Sequence, residues 1–292
     1  MFAKIKKSWN LIKASAGVLS ADKELIIFPL LSSIALLIVT ASFAIPMFTA
    51  GFFDQMLGGK SEIFHYVVLF FFYVVQYTVI IFANSALIGA ALIRMRGGDP
   101  TVGDGLRIAF GHFGKILGYA LIAATVGLIL KWIADRSKTL GQIAVSLVGL
   151  AWNLATYLVV PVLVVEEVGP LESVKRSAVY LKKTWGEQIV GNFSIGLVFG
   201  LFSILVFVVG IPLFIWAATA ESVAGMVAVG VIVVLALILL SLISNTLEGI
   251  YVAAVYHYVA QGQTSGFFSK EQIEALSKPS RHEATHIFWL RR

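Results

Sequence analysis

Residues 63–100 read IFHYVVLFFFYVVQYTVIIFANSALIGAALIRMRGGDP, and the order of events along them decides the fold. The apolar run Ile63 to Ile93 is longer than the about 20 residues that carry a helix across a hydrocarbon core of ~30 Å. Asn84 stands inside it, Arg94 and Arg96 end it, and Gly97-Gly98-Asp99-Pro100 breaks the chain. A polar amide in hydrocarbon is costly unless it finds a partner. The same arrangement recurs twice. Asn84, Asn153 and Asn245 each lie in the second apolar span of a hairpin, and each is followed 16 or 17 residues later by a breaker, Pro100, Pro170 or Gly262. Matched registers of this kind point to a threefold internal repeat around a shared polar spot.

Outward from that stretch the whole chain is apolar. Hydrophobic residues make up 59% and charged residues 13%, where ordinary soluble domains carry about 25% charged. Six runs are long enough to span: Leu25 to Phe48, Ile63 to Ile93, Ile116 to Ala134, Ile143 to Val165, Ile189 to Ala218 and Val223 to Tyr258. The fold class is therefore all-α, a polytopic bundle of six transmembrane helices arranged as three hairpins. The first run outlasts the about 7 to 15 apolar residues of a secretory signal and reads as a retained span. Cysteine is absent, which excludes disulfides, thiolate metal sites and a cysteine nucleophile.

The net charge of +6 is distributed by topology. With the termini and the even-numbered loops on one side, only Lys60, Lys131, Arg136 and Lys138 of the 22 Lys and Arg fall opposite, 18 against 4. The positive-inside rule then predicts a multi-pass protein of the cell inner (plasma) membrane with both termini cytoplasmic. Membrane lipids are the expected partners, and nucleic acid is not.

Amphipathic segments stand ahead of the first, third and fifth spans. Ile5, Trp9, Ile12, Ala16 and Leu19 share one helical face; Val102, Leu106, Ala109, Phe110 and Phe113 form a second; Leu171, Val174, Ala178, Leu181 and Trp185 form a third. Each predicts a helix lying in the cytoplasmic interface, the latter two opened by Pro100 and Pro170 at the first turn. Ser8-Trp9-Asn10-Leu11-Ile12-Lys13 also matches Ser177-Ala178-Val179-Tyr180-Leu181-Lys182 in register, with Gly17 against Gly186. The expected organisation is one transmembrane domain, 1–260, with repeat units 1–96, 97–166 and 167–260, then a cytoplasmic tail, 261–292, whose Lys270 to Ser277 begins a further polar helix.

Candidate site residues are Asn84, Asn153, Thr156, Asn245 and Glu248. Thr156 lies one turn beyond Asn153, and Glu248 one turn beyond Asn245. Two readings stay open: hydrogen bonds that glue helices together, or a polar site or constriction, with Glu248 binding a cation or relaying a proton. His282-Glu283-Ala284-Thr285-His286 fits the zinc-protease spelling, but outside every span and without a further ligand or cleft. No catalytic residue, metal or cofactor is expected. Gly114 with Gly118 and Gly196 with Gly200 have the spacing that lets membrane helices approach closely, within a chain or between copies in a homo-oligomer. Pro161 and Pro212 are expected to kink the fourth and fifth spans. Glu166-Glu167 beside Lys175 and Arg176 reads as interfacial ion pairing, and Lys131 with Trp132 as a snorkelling anchor and aromatic belt.

Ser8 to Lys13, Ala21-Asp22-Lys23-Glu24-Leu25, Phe28-Pro29-Leu30, Val160-Pro161-Val162-Leu163 through Glu166, Gly169-Pro170 and Ser173 to Thr184 together resemble a prokaryotic integral-membrane family of unknown function. They are also loosely similar to the membrane domain that accompanies some glycerophosphodiester phosphodiesterases, where an acidic loop precedes a basic amphipathic helix. That resemblance implies a fold and no activity, because the soluble phosphodiesterase domain has no counterpart here. The functional expectation is a non-enzymatic, oligomeric, lipid-associated scaffold or partner-binding module. The alternative is a channel or transporter for a small solute or ion, using the polar intramembrane cluster.

Overall fold

The computed structural model describes residues 2–58, 63–137, 139–185, 194–262 and 265–268, and every regular element among them is helical. In order they are α1 (Phe2–Ala21), a 3₁₀ turn (Lys23–Ile26), α2 (Ile27–Thr49), α3 (Phe52–Leu57), α4 (Ile63–Met95), α5 (Val102–Gly111), α6 (Phe113–Arg136), α7 (Thr139–Ala155), α8 (Val159–Val165), α9 (Pro170–Trp185), α10 (Ser194–Thr219) and α11 (Val223–Gln261). Among the described residues six stretches have the length and hydropathy to cross a membrane: the 3₁₀ turn with α2, then α4, α6, α7 with α8, α10, and α11. The expected all-α polytopic bundle is therefore the fold. With 33 residues in α4 and 39 in α11, these helices are roughly 50 and 58 Å long at ~1.5 Å per residue, so they tilt or project beyond the hydrocarbon. The expected tail helix around Lys270 and the His282 to His286 motif lie outside the described residues, as do Lys60 and Lys138.

Local chemistry sets the helix ends. Asp22 opens the 3₁₀ turn by accepting from the Glu24 backbone N–H at 3.2 Å. At α5 Thr101 and Asp104 form a reciprocal capping box, with bonds of 3.2 and 3.0 Å. The side-chain bond from Thr101 leads the causes that hold the Asp104 carboxyl below its usual value. Thr101 is thus the cap and Pro100 lies before it, buried and outside the helix, whereas Pro170 does occupy the first position of α9. Gly97 and Gly262 take positive φ of 88° and 68° where α4 and α11 stop, conformations natural to glycine.

The fourth span is not one kinked helix. Pro161 has no N–H for the Tyr157 carbonyl, and the chain unwinds between α7 and α8. Tyr157 N–H bonds Leu154 O at 3.2 Å, Val159 N–H bonds Thr156 O at 3.1 Å, and Leu158 N–H donates to the buried Ser177 hydroxyl of α9 at 2.9 Å. A hydroxyl from a neighbouring helix thus takes a donor that the broken span leaves over. Pro212, by contrast, sits within an unbroken α10.

The core lies at one end of the bundle. Ser85 to Leu92 of α4 and Ile250 to His257 of α11 are buried without interruption, joined by Leu25, Phe28, Ile116, Leu163 and Leu181. α4, α8 and α11 touch one another, and each of the three amphipathic helices packs on the last helix of a hairpin: α5 on α4, α9 on α8, and α1 on α11 as well as α10. Small residues permit these approaches. A Cβ on Gly105 would come within 2.4 Å of the Phe28 ring and 2.8 Å of the Ala86 carbonyl; one on Gly249 would come within 2.4 Å of Leu87, and one on Gly118 within 2.9 Å of Pro170. Toward the other end α10 and the first half of α11 expose Leu205, Ile211, Trp216, Val231 and Leu235, apolar surface that suits lipid.

Candidate functional site

Helical periodicity on four spans turns polar residues toward one space. On α4 Tyr77, Ile81, Asn84 and Ile88 recur at helical spacing; on α6 Tyr119, Ala123 and Gly127; on α7 and the following turn Gly149, Trp152, Asn153 and Thr156; on α11 Asn245, Glu248 and Val252. With Pro29, Ser32 and Ser33 of α2 they line a cavity of about 770 Å³. All five residues singled out in the sequence, Asn84, Asn153, Thr156, Asn245 and Glu248, border it. α10 takes no part.

The polar groups are poorly satisfied by the protein itself. Among the described residues the side chains of Asn84, Asn153 and Glu248 make no hydrogen bond or ion pair, and Asn245 reaches only Ser241, at 3.4 Å. Thr156 turns its hydroxyl back to the Trp152 carbonyl at 2.8 Å. All three asparagines and Glu248 are exposed, so the cavity is open on one side. Gly249, pressed on Leu87, brings Glu248 beside the α4 face that carries Asn84. Among the described residues the wall contains no Lys, Arg or His.

Sequence reasoning missed the aromatic and hydroxyl part of this lining: Ser32, Ser33, Tyr77, Tyr119, Trp152 and Tyr157. Tyr77 was findable, since it stands seven residues before Asn84 on the same helical face. The others become neighbours through packing alone.

Two polar clamps close the buried end. Glu166, whose side chain is 14% exposed, accepts from Arg176 Nη1 at 2.6 Å, Tyr180 Oη at 2.7 Å and Tyr256 Oη at 3.1 Å, tying the end of α8 to α9 and α11. Burial first, and then this bond to the carboxylate, pushes the Tyr180 hydroxyl up to about 12. The ion pairing expected here is thus made by Glu166 with Arg176, while Glu167 turns outward at a φ of 53°. In the second clamp Arg94 donates to Asp99 at 2.8 Å, to the Gly98 carbonyl at 3.2 Å and to the Ala21 carbonyl at 2.9 Å, and Glu24 accepts from the Val102 N–H at 3.0 Å. Asp22 is buried beneath it, and burial raises its carboxyl against the pull of the Glu24 N–H and of Arg94. At the opposite end the Arg136 guanidinium lies 4.1 Å over the Trp132 ring.

Fold and site together define a multi-pass, all-helical membrane protein with a polar cavity among its spans. The chain belongs to the family of unknown function DUF6159, which matches residues 63–267. No curated protein matches it. The match takes in the stretch from Val160 to Thr184 that carried part of the family resemblance, and begins after Ser8 to Leu30, which carried the rest.

Proposed function

We propose that this chain is a non-enzymatic inner-membrane protein that admits a small polar or amphiphilic solute into the cavity bordered by Asn84, Asn153, Asn245 and Glu248, in the manner of a transporter or channel. The observation that carries this reading is that these side chains converge on one open space and that, among the described residues, Asn84, Asn153 and Glu248 make no hydrogen bond or ion pair while Asn245 has only the long bond to Ser241 within its own helix. Amides that merely glued helices would bond one another, because leaving them unsatisfied in hydrocarbon costs several kcal/mol, on the order of 2 to 7. The proposed threefold repeat gains support from the mutual packing of α4, α8 and α11 and from the way α5, α9 and α1 each lie on the last helix of a hairpin. The break between α7 and α8 has no equivalent in α4 or α11. The likeness to the membrane domain accompanying some phosphodiesterases adds no reacting group to this proposal.

A scaffold reading draws on Gly196 and Gly200, where an added Cβ would meet nothing within 4 Å among the described residues, so that this face of α10 is open to lipid or to a second copy. Thiol labelling separates the two, since the native chain has no cysteine. A thiol reacts as the thiolate, which forms in contact with water, so single cysteines replacing Asn84, Asn153 and Asn245 are expected to react with a membrane-impermeant reagent about tenfold faster, or more, than one replacing Leu205. Equal rates at all four positions overturn the cavity reading and leave the scaffold.

A further inference from the structure

Among the described residues Glu248 is the one charged side chain in the cavity wall, and no cation answers it. A carboxylate within a span calls for a counter-charge, for water or for a proton. What surrounds it distinguishes the candidates. An inorganic cation such as calcium needs six to eight oxygens at about 2.3 to 2.6 Å. Among the described residues no three His, Cys, Asp or Glu side chains come together, and a cavity of about 770 Å³ is far larger than a bare ion requires. A phospholipid headgroup brings a phosphate, which would meet no Lys, Arg or His among the described residues of the wall. The wall instead offers the rings of Tyr77, Tyr119, Trp152 and Tyr157 with Ile81 and Val252, and aromatic faces attract a cation within about 6 Å of the ring centre. Volume falls in the range of about 300 to 1,000 Å³ typical of pockets for molecules of drug size.

Resting on the solute-cavity reading above, we infer that the ligand is a lipophilic organic cation: an amine or quaternary centre held by Glu248 and the aromatic rings, its apolar body along α4 and α6, and any polar substituent bonded by Asn84, Asn153 or Asn245. One carboxylate sets the preference for positive charge. The amides, of which only Asn245 has a partner among the described residues and that a long one to Ser241, leave room for ligands that differ in their polar ends.

Tetraphenylphosphonium is the probe and tetraphenylborate, of the same shape and opposite charge, its control. Equilibrium dialysis of the full chain in detergent is expected to show saturable binding of the cation, one per chain, and none of the anion. Loss of a unit charge at short range predicts that Glu248→Gln weakens binding about tenfold or more, with Glu248→Asp retaining most of it. The phosphonium is also expected to slow thiol labelling of the Asn84→Cys chain, in which Glu248 is intact, so the inference does not depend on the charge variants folding. Equal binding of cation and anion, unchanged affinity in Glu248→Gln, or labelling of Asn84→Cys that the phosphonium leaves untouched each overturns it. If Asn84→Cys labels rapidly but is not protected, the cavity stands and the cation falls; if it does not label, both fall.

Discussion

Glu166 shows how much one side chain can hold together. Its carboxylate collects three donors from two other helices while remaining largely buried. Arg176 is 43% exposed and has Glu172 at 3.2 Å as a second partner, so the ion pair itself is screened and replaceable. The two tyrosine hydroxyls have no such substitute among the described residues. Leaving buried polar groups unsatisfied costs about 1 to 3 kcal/mol each, and contributions within one network do not simply add. Glu166→Ala is therefore expected to destabilise the protein by about 2 to 3 kcal/mol, and Tyr256→Phe by about 1. Thermal unfolding in detergent measures both; a Glu166→Ala chain that melts with the parent shows that the clamp is ornamental.

At the scale of elements, close approach is set by glycines whose positions differ sharply in what surrounds them. Gly105 on α5 meets a backbone carbonyl and the tip of Phe28, and the carbonyl cannot move aside as a flexible side chain does. Gly105→Ala is expected to cost about 1 to 3 kcal/mol by lifting α5 from α4 and α2. Gly196 is open among the described residues, so Gly196→Ala removes only backbone freedom and is expected to be neutral or to stabilise by up to about 1 kcal/mol. Comparing the two unfolding transitions checks the packing directly, and a reversed order would contradict it. The same logic explains the α7–α8 break: a proline sets where a donor is lost, but Ser177 of α9 determines that the chain unwinds there without penalty.

For the molecule as a whole, the buried end coincides with the loops that carry most of the basic residues: Arg94, Arg96, Lys175 and Arg176 lie beside the clamps, and Arg136 lies at the other end with Trp132. The charge bias predicts that the clamped end is cytoplasmic. A cysteine replacing Arg136 should accordingly react with an impermeant reagent from outside intact cells, and one replacing Arg96 only after permeabilisation. The opposite pattern would invert the topology.

Much of this was legible in the chain alone. Apolar length gave six spans, helical periodicity gave α1, α5 and α9, and polar amides inside apolar runs marked Asn84, Asn153 and Asn245, because each of these signals is written within one helix and needs no neighbour. The acidic pair at Glu166-Glu167 was visible too, although its sequence neighbours could not say that Arg176 rather than Lys175 would pair, or that Tyr256, 90 residues away, would join. Thr101 displaced Pro100 as the start of α5 because a reciprocal cap satisfies two backbone donors and a proline at the first position satisfies none. The cavity itself belongs to tertiary structure. Its lining depends on how α2, α4, α6, α7 and α11 rotate and cross, and those angles follow from contacts such as Gly249 on Leu87 and Gly105 on Phe28, which hydrophobic periodicity does not encode.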